Sequence, residues 1–301
     1  MSTVPRISFM GANRAAQSRL RAAYARVEKA NQQVATGKAY TRPSENQSAS
    51  SRAAVLQDQL DQLTTFGRAI DDSRSRLSIS DTKMQQAMEL YQRVSELTTQ
   101  AASSTNSPAA RRAIAEEVTQ LRGELQSVAN SEYLGAPLFA GVQQANAVTF
   151  NVPTSSWVFT GAPTEKLQRR VAPGEVVSAN ITAVEFLSNG TDDIFTVLDD
   201  LSTALNANNT LGIQATIGKI SSLRSTLSAG QARIGAALNR VERAADRNAS
   251  IHVITTAELS SLQDVDIADA ITDQSRLTMA YQSALGVTAK ANEQTLLDWW
   301  R

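Results

Sequence analysis

Few side chains in this sequence could do chemistry. None of the 301 residues is a cysteine, which excludes thiol nucleophiles, disulfides and Cys-ligated zinc. His252 is the only histidine and reads as a polar residue in a connector, leaving little room for imidazole acid–base or metal chemistry. Asp264, Asp266, Asp269 and Asp273 form an acidic cluster, three of them on one side of a helix. Hard cations usually draw their oxygens from a loop, so the cluster reads as a solvated or ion-pairing face. Arg233, Arg240 and Arg247 recur every seven residues and form a natural complementary stripe, within a subunit or between neighbours. The carboxylate pairs Glu116-Glu117, Asp192-Asp193 and Asp199-Asp200 are adjacent in helical stretches and so diverge, which is solvation and not a catalytic couple. No phosphate-cradling loop, dinucleotide fingerprint or nucleophile elbow occurs. The expectation is a protein that is not an enzyme, with no catalytic, cofactor-binding or metal-binding residues and no cofactor.

Charge narrows the partners. Lys plus Arg equal Asp plus Glu at 29 each, so no basic field favours nucleic acid or acidic lipid, and the barrier to self-association is low. Arg14, Arg19, Arg21 and Arg26 lack the clustered aromatics of a nucleic-acid surface. No run approaches membrane-spanning length. The first twenty residues are interrupted by Arg6, Asn13, Arg14, Gln17 and Arg19 and so lack the apolar core of a secretory signal. Composition points to a soluble, cytoplasmic protein with no nucleic-acid or membrane partner, unless export follows a route that reads no apolar signal.

The elements that would position these residues are mostly helices, as the abundance of Ala, Gln, Ser, Leu and Arg suggests. Leu20, Tyr24, Val27, Asn31 and Val34 step by four and three along a first helix over 10–36, stopped by Gly37 and Pro43. Ser44 and Gln47 read as the capping box of a second helix. In it Leu56, Leu63, Ile70, Leu77, Met84 and Tyr91 fall seven apart, a sustained heptad seam. Ser107-Pro108 opens a third helix, carrying Ile114, Val118, Leu121, Leu125 and Val128, which would fold back on the second. From Ser131 the helical period gives way to β-rich runs, including 137–140, 148–152, 156–160 and 168–171, and to a tight turn at Pro173-Gly174. Thr191, with two aspartates in the first turn, starts a short helix. A long helix follows, with Ile213, Ile220, Leu227, Ile234 and Val241 seven apart and Ile217, Leu223 and Leu238 between them. Residues 248–255 read as a separator. Thr255 and Glu258 then cap a last helical stretch with an apolar stripe through Leu259, Leu262, Ile267, Ile271, Leu277, Tyr281, Ala284, Leu285, Thr288, Ala289 and Leu296.

This order predicts a mainly α fold: an elongated helical bundle or coiled coil built from N- and C-terminal helices, with a small β-rich insert in the middle. The expected divisions are an N-terminal assembly helix at 1–43, a long-helix rod from 44–130 and 191–254, the insert at 131–190, and a C-terminal assembly helix at 255–301. The last stripe needs partners, and the first helix supplies some of them. The expected assembly interface is Leu20, Tyr24, Val27, Val34, Ile271, Leu277, Tyr281, Leu285, Leu296, Trp299 and Trp300. Two indoles at an otherwise polar end suit a buried contact with a partner.

Several stretches carry a family resemblance. Residues 33–46, with Thr36-Gly37-Lys38 and Pro43-Ser44, resemble a segment of the flagellin superfamily of axial proteins, and the Pro-Ser pair resembles its junction-protein branch. Residues 133–141, ending Phe139-Ala140-Gly141, resemble the "Y-hydrophobic-F-A-G" stretch of that branch. Gly235, Asn239 and Arg240 are similar to the superfamily's "G-x-x-x-N-R" helix, and residues 262–297 resemble its C-terminal helix. The resemblance implies a structural adaptor joining the flagellar hook, through another hook-associated protein, to the filament of a motile bacterium. The alternative is flagellin, the filament subunit itself, toward which the end at Arg301 points. It also implies an extracellular flagellar location, reached by type III export without a cleaved signal peptide. The implied partners are the chain itself in a ring or tube, flagellin, another hook-associated protein, and an export chaperone on the C-terminal helix.

Overall fold

Heptad spacing of large apolar residues builds most of the fold. The structure, a computed structural model, describes residues 9–103 and 106–297. The helices are α1 (Phe9–Thr36), α2 (Gln47–Ala102), α3 (Pro108–Ala129), α4 (Val184–Leu187), α5 (Ile194–Asn206), α6 (Thr210–Gln263) and α7 (Ile267–Leu297). Six short strands lie between α3 and α4: β1 (Glu132–Tyr133), β2 (Ala136–Pro137), β3 (Val148–Asn151), β4 (Ser156–Phe159), β5 (Gln168–Ala172) and β6 (Glu175–Ser178). The fold is therefore mainly α with a small strand insert, as the sequence predicts. The chain divides into two compact units, one drawn from both ends (up to Asp61 and from His252) and one spanning Gln62–Ile251.

The Gln62–Ile251 unit holds the main hydrophobic core. Leu63, Ile70, Leu77, Met84 and Tyr91 on α2 are buried, as are Ile213, Ile220, Leu227, Ile234 and Val241 on α6, so both seven-residue seams face inward. Ile217, expected between them, is exposed because it lies one residue past the seam position taken by Thr216. The helices approach closely at Gly230, where a β-carbon would come within 2.8 Å of Phe186 Cβ and 2.9 Å of Met84 Cε. The α3 helix starts as read, with Ser107 Oγ accepting from the Ala110 N–H at 3.1 Å. It folds back on α2 through the Arg93–Glu117 pair at 2.6 Å. Arg111 is buried where α2 ends, its Nε and Nη2 donating to the carbonyls of Ala101 (3.1 Å) and Ser103 (2.9 Å) while Nη1 donates to Asn208 Oδ1. It thus satisfies carbonyls that a helix end leaves open.

The insert is three separate antiparallel hairpins and not one sheet: β1 with β2, β3 with β4, and β5 with β6. Residues 137–140 were expected to form a strand, but only Pro137 does. Leu138, Phe139 and Ala140 are fully buried, and Phe139 packs edge-on against Phe186 at 4.9 Å. The backbone bends through Leu138–Ala140 instead of continuing the strand. Trp157 of β4 stacks on Phe195 of α5 at 4.6 Å and donates from Nε1 to Asp199 Oδ2 at 2.8 Å, fixing that hairpin to the helices.

Two helix starts differ from expectation. The cap of α2 is Asn46, whose Oδ1 accepts from the Ala49 N–H at 3.1 Å, because Pro43–Glu45 forms a 3₁₀ turn and Ser44 lies inside it. The α5 cap is Asp193 and not Thr191, with Oδ1 accepting from the Thr196 N–H at 2.9 Å. No break falls at 248–255. The α6 helix runs through it to Gln263, so the expected division at 254/255 lies inside a helix. This segment has neither Gly nor Pro, and Thr255 is buried on the heptad continued from Val241. The break comes at Asp264-Val265-Asp266, where Asp266 Oδ1 accepts from the Ala268 N–H at 2.8 Å and caps α7.

Candidate assembly surface

In the unit formed by the chain ends, α1 and α7 pack side by side. They run antiparallel: Gln274 Nε2 donates to Asn31 Oδ1 at 3.0 Å, and the rings of Tyr24 and Tyr281 lie 5.7 Å apart. As residue numbers fall along α1, they rise along α7.

The seam is offset from the expected one. On α1 Ala16, Leu20, Ala23, Val27, Ala30 and Val34 are shielded in a strict four–three alternation, in which Ala23 and Ala30 take the places given to Tyr24 and Asn31; Gln32 and Gln33 in the last turns are also partly covered. Tyr24 is 55% exposed, on the flank of the pair. On α7 the shielded positions are Ala270, Gln274, Leu277, Thr278, Tyr281, Ala284 and Thr288. Ile267 (52% exposed), Ile271 (48%) and Leu285 lie outside this seam, although the sequence stripe placed them within it. On α1 the difference comes from alanine, since Ala23 and Ala30 fill a narrow seam where larger side chains were expected; on α7 Leu277, Tyr281, Ala284 and Thr288 lie in the seam as the stripe placed them. Met279 and Val287 are further exposed apolar side chains on α7. Of the remaining expected contacts, Leu296 falls in α7 with its side chain outside the described part, and Trp299 and Trp300 lie outside the described residues.

The two helix breaks of this unit sit against each other. Gly37, at φ +67°, ends α1 in the left-handed conformation that glycine tolerates. Lys38 and Asp264 then form an isolated antiparallel bridge, with the Ala39 N–H donating to the Gln263 carbonyl at 2.7 Å and the Val265 N–H to the Gly37 carbonyl at 3.0 Å. Lys38 Nζ donates to Asp264 Oδ1 at 2.8 Å and to Gln263 Oε1 at 3.3 Å. Hydrogen bonds from Lys38, and secondarily from the Ser260 hydroxyl, hold the Asp264 carboxyl below its ordinary range. A depressed carboxyl contributes stability above its unfolded-state value and loses it only as the pH falls through the folded one, so the tie is fully ionic at neutral pH. A cavity of about 470 Å³ lies beside the bridge, lined by Lys38, Tyr40, Ser50, Gln57 and Gln263 among others.

The chemistry-bearing residues of the sequence do not converge. His252 is exposed on α6, 3.5 Å from Thr256 Oγ1. The acidic cluster is spent on Lys38 (Asp264), on the α7 cap (Asp266) and on Arg276 (Asp273). The arginine stripe does not complement it. Arg233 pairs with Glu185 at 3.2 Å, Arg240 Nη2 donates to the Val176 carbonyl at 3.1 Å, and Arg247 pairs with Glu175. The stripe fastens α6 to the insert, a partner that helical spacing alone does not reveal. Among the described residues no group of three or more His, Asp or Glu is placed to hold a metal ion, and no helix is long and apolar enough to cross a membrane.

The terminal helix pair leaves Tyr24, Ile271, Met279 and Val287 exposed, apolar side chains that association with another subunit would cover. The model of the bacterial flagellin N-terminal helical region matches residues 7–144, and that of the bacterial flagellin C-terminal helical region matches residues 217–299. Together the two spans cover well over half of the chain, and it belongs to the flagellin superfamily, as a structural component of the flagellum. A flagellar filament 33 kDa core protein from Treponema phagedenis is 25% identical over 270 residues, which cover 89% of this chain and 90% of that protein. In fold, the chain is similar to FlgL of Xanthomonas campestris, at TM-score 0.62 and 22% identity over 68% of this chain and 99% of that one. It is likewise similar to the flagellar junction protein FlgL of Legionella pneumophila, at TM-score 0.58 and 15% identity over 70% and 99%.

Proposed function

We propose that this protein is the adaptor that joins the flagellar hook, through another hook-associated protein, to the flagellin filament. The observation that carries the reading is a match of fold to FlgL proteins, one of them described as a flagellar junction protein, over 99% of their chains. The junction-type stretches at 33–46 and 133–141 support it from the sequence side. An adaptor needs surfaces that meet its own copies in a ring or tube and two unlike neighbours. Tyr24, Ile271, Leu285, Leu296, Trp299 and Trp300 are assigned to contacts between subunits, and Leu20, Val27, Val34, Leu277 and Tyr281 to the pair that presents them. An export chaperone binding α7 would keep that surface covered before passage through the flagellum's own channel to the cell exterior, with no cleaved signal peptide.

The second reading, flagellin itself, has its own support in the filament core protein matched over 90% of its length. Elongation separates the two. Purified chain added in excess to filament seeds is expected to leave their length unchanged; seeds that lengthen in proportion to added chain would establish the filament subunit instead.

A further inference from the structure

Asn189-Gly190 is the one Asn-Gly pair in the sequence, and it lies exposed in the connection between α4 and α5. A glycine leaves its own backbone nitrogen unshielded, and Gly190, at φ +90°, has open space where a β-carbon would stand. The Asn189 side chain folds forward along the chain. Its Oδ1 accepts from the Thr191 N–H at 3.0 Å and from the Asp192 N–H at 2.8 Å. Two backbone donors on one carbonyl oxygen stabilise negative charge that develops there. The Gly190 N–H donates to Ser188 Oγ at 3.2 Å, an acceptor for the proton this nitrogen must lose before it can attack. Asn189 Nδ2 lies 3.2 Å from Ser222 Oγ of α6, a hydroxyl placed to return a proton to a departing nitrogen. The turn is braced, with the Asn189 N–H donating to the Asp192 carbonyl at 3.1 Å and Ser188 bridged to Asp193.

We propose that Asn189 is a self-modifying site, where the folded chain promotes conversion of its own asparagine to aspartate and isoaspartate with water as the only other reactant. The Gly190 nitrogen loses its proton and bonds to Asn189 Cγ, while Oδ1 takes up the charge between its two donors. The Cγ–Nδ2 bond breaks, ammonia leaves with the added proton, and a succinimide ring is closed. Water then adds to one of the two ring carbonyls and opens it, to aspartate or isoaspartate according to which is attacked. One water is consumed, one ammonia is released, and nothing is oxidised or reduced. Asn130, followed by Ser131, is the internal contrast. Its Nδ2 donates to the Val148 carbonyl and its Oδ1 accepts from the Val148 N–H, each at 2.8 Å, so both polar atoms are held by a distant strand. At Asn189 the product sets a new carboxylate near Asp192, which pairs with Lys219 at 3.0 Å, and isoaspartate lengthens the backbone of the braced turn. The chain thus carries its own timer, an amide in new copies and an acid in old ones. The inference is independent of the adaptor reading and holds equally for a filament subunit.

Peptide mass spectrometry of the full chain, incubated at mildly alkaline pH either folded or unfolded in urea, tests it. Residue 189 of the folded chain is expected to gain the mass of an amide-to-acid conversion about threefold faster than in the unfolded chain, with part of the product methylated by an isoaspartyl methyltransferase. Asn130 is expected to remain an amide in the folded chain. Ser188→Ala and Ser222→Ala are each expected to slow the folded reaction about threefold and to leave the unfolded rate unchanged, with the fold of each variant checked by circular dichroism. A folded chain that converts no faster than the unfolded one would overturn the proposal. So would folded Ser188→Ala and Ser222→Ala chains that both convert at the wild-type rate, or equal conversion at Asn130 and Asn189.

Discussion

Tyr91 is wholly buried on the α2 seam, and its hydroxyl has no hydrogen-bond partner. Burial raises its pKa well above the ordinary phenol value of 10.0, and the charge of Asp193 adds to the effect. The folded state therefore holds this proton more tightly than the unfolded chain does. Stability from this group is present below the unfolded-state pKa and is lost as the pH rises above it. Tyr91→Phe removes an unsatisfied buried hydroxyl, so urea unfolding at neutral pH is expected to show unchanged stability or a gain of up to about 1 kcal/mol. The variant should also lack the alkaline loss. A destabilisation of about 2 kcal/mol would show that the hydroxyl has a partner. At this scale the sequence reveals the large apolar seam residues and conceals the buried arginines. Leu77 and Ile220 announce themselves by period, whereas Arg111 reads as a solvated charge until the carbonyls of Ala101 and Ser103 are seen around it.

The elements were legible where a strong local rule acts alone. Ser107-Pro108 opens α3, Gly37 closes α1, and Pro173-Gly174 turns β5 into β6. They were misread where two rules compete. Thr255 and Glu258 have the types of a capping box, yet burial of Thr255 on a continuing heptad prevails, and the helix breaks only at residues 264–266. The three-residue run Leu138-Phe139-Ala140 has strand-like composition, but it is a buried bend packed against Phe186. In the terminal pair, the pairing of the two chain ends and the seam positions Leu20, Val27, Val34, Leu277, Tyr281, Ala284 and Thr288 could be read from sequence, while Ala23, Ala30, Ala270 and Gln274 could not, because small or polar residues carry no apolar signal. This partition predicts unequal stability. The main hydrophobic core, from Ile70 to Ala244, lies wholly inside the Gln62–Ile251 unit. Trimming residues 1–40 and 262–301 is expected to leave a fragment with a cooperative thermal transition by circular dichroism, its helical signal reduced only by the helices removed. Loss of the transition would place the terminal pair among the determinants of the core.

Across the whole chain, family membership makes this protein a structural component of the flagellum. Family likeness alone leaves two positions open, at the junction or along the filament, because the matched models describe helical regions at 7–144 and 217–299 and not a position in the assembly. The adaptor reading turns on the likeness of fold to FlgL proteins and on the stretches around Pro43-Ser44 and Phe139-Ala140-Gly141. Electron microscopy of a strain deleted for this protein, with flagellin measured in the culture medium, tests that reading most directly. The expected result is hooks without filaments and flagellin shed into the medium; filaments of normal length on every hook would contradict it.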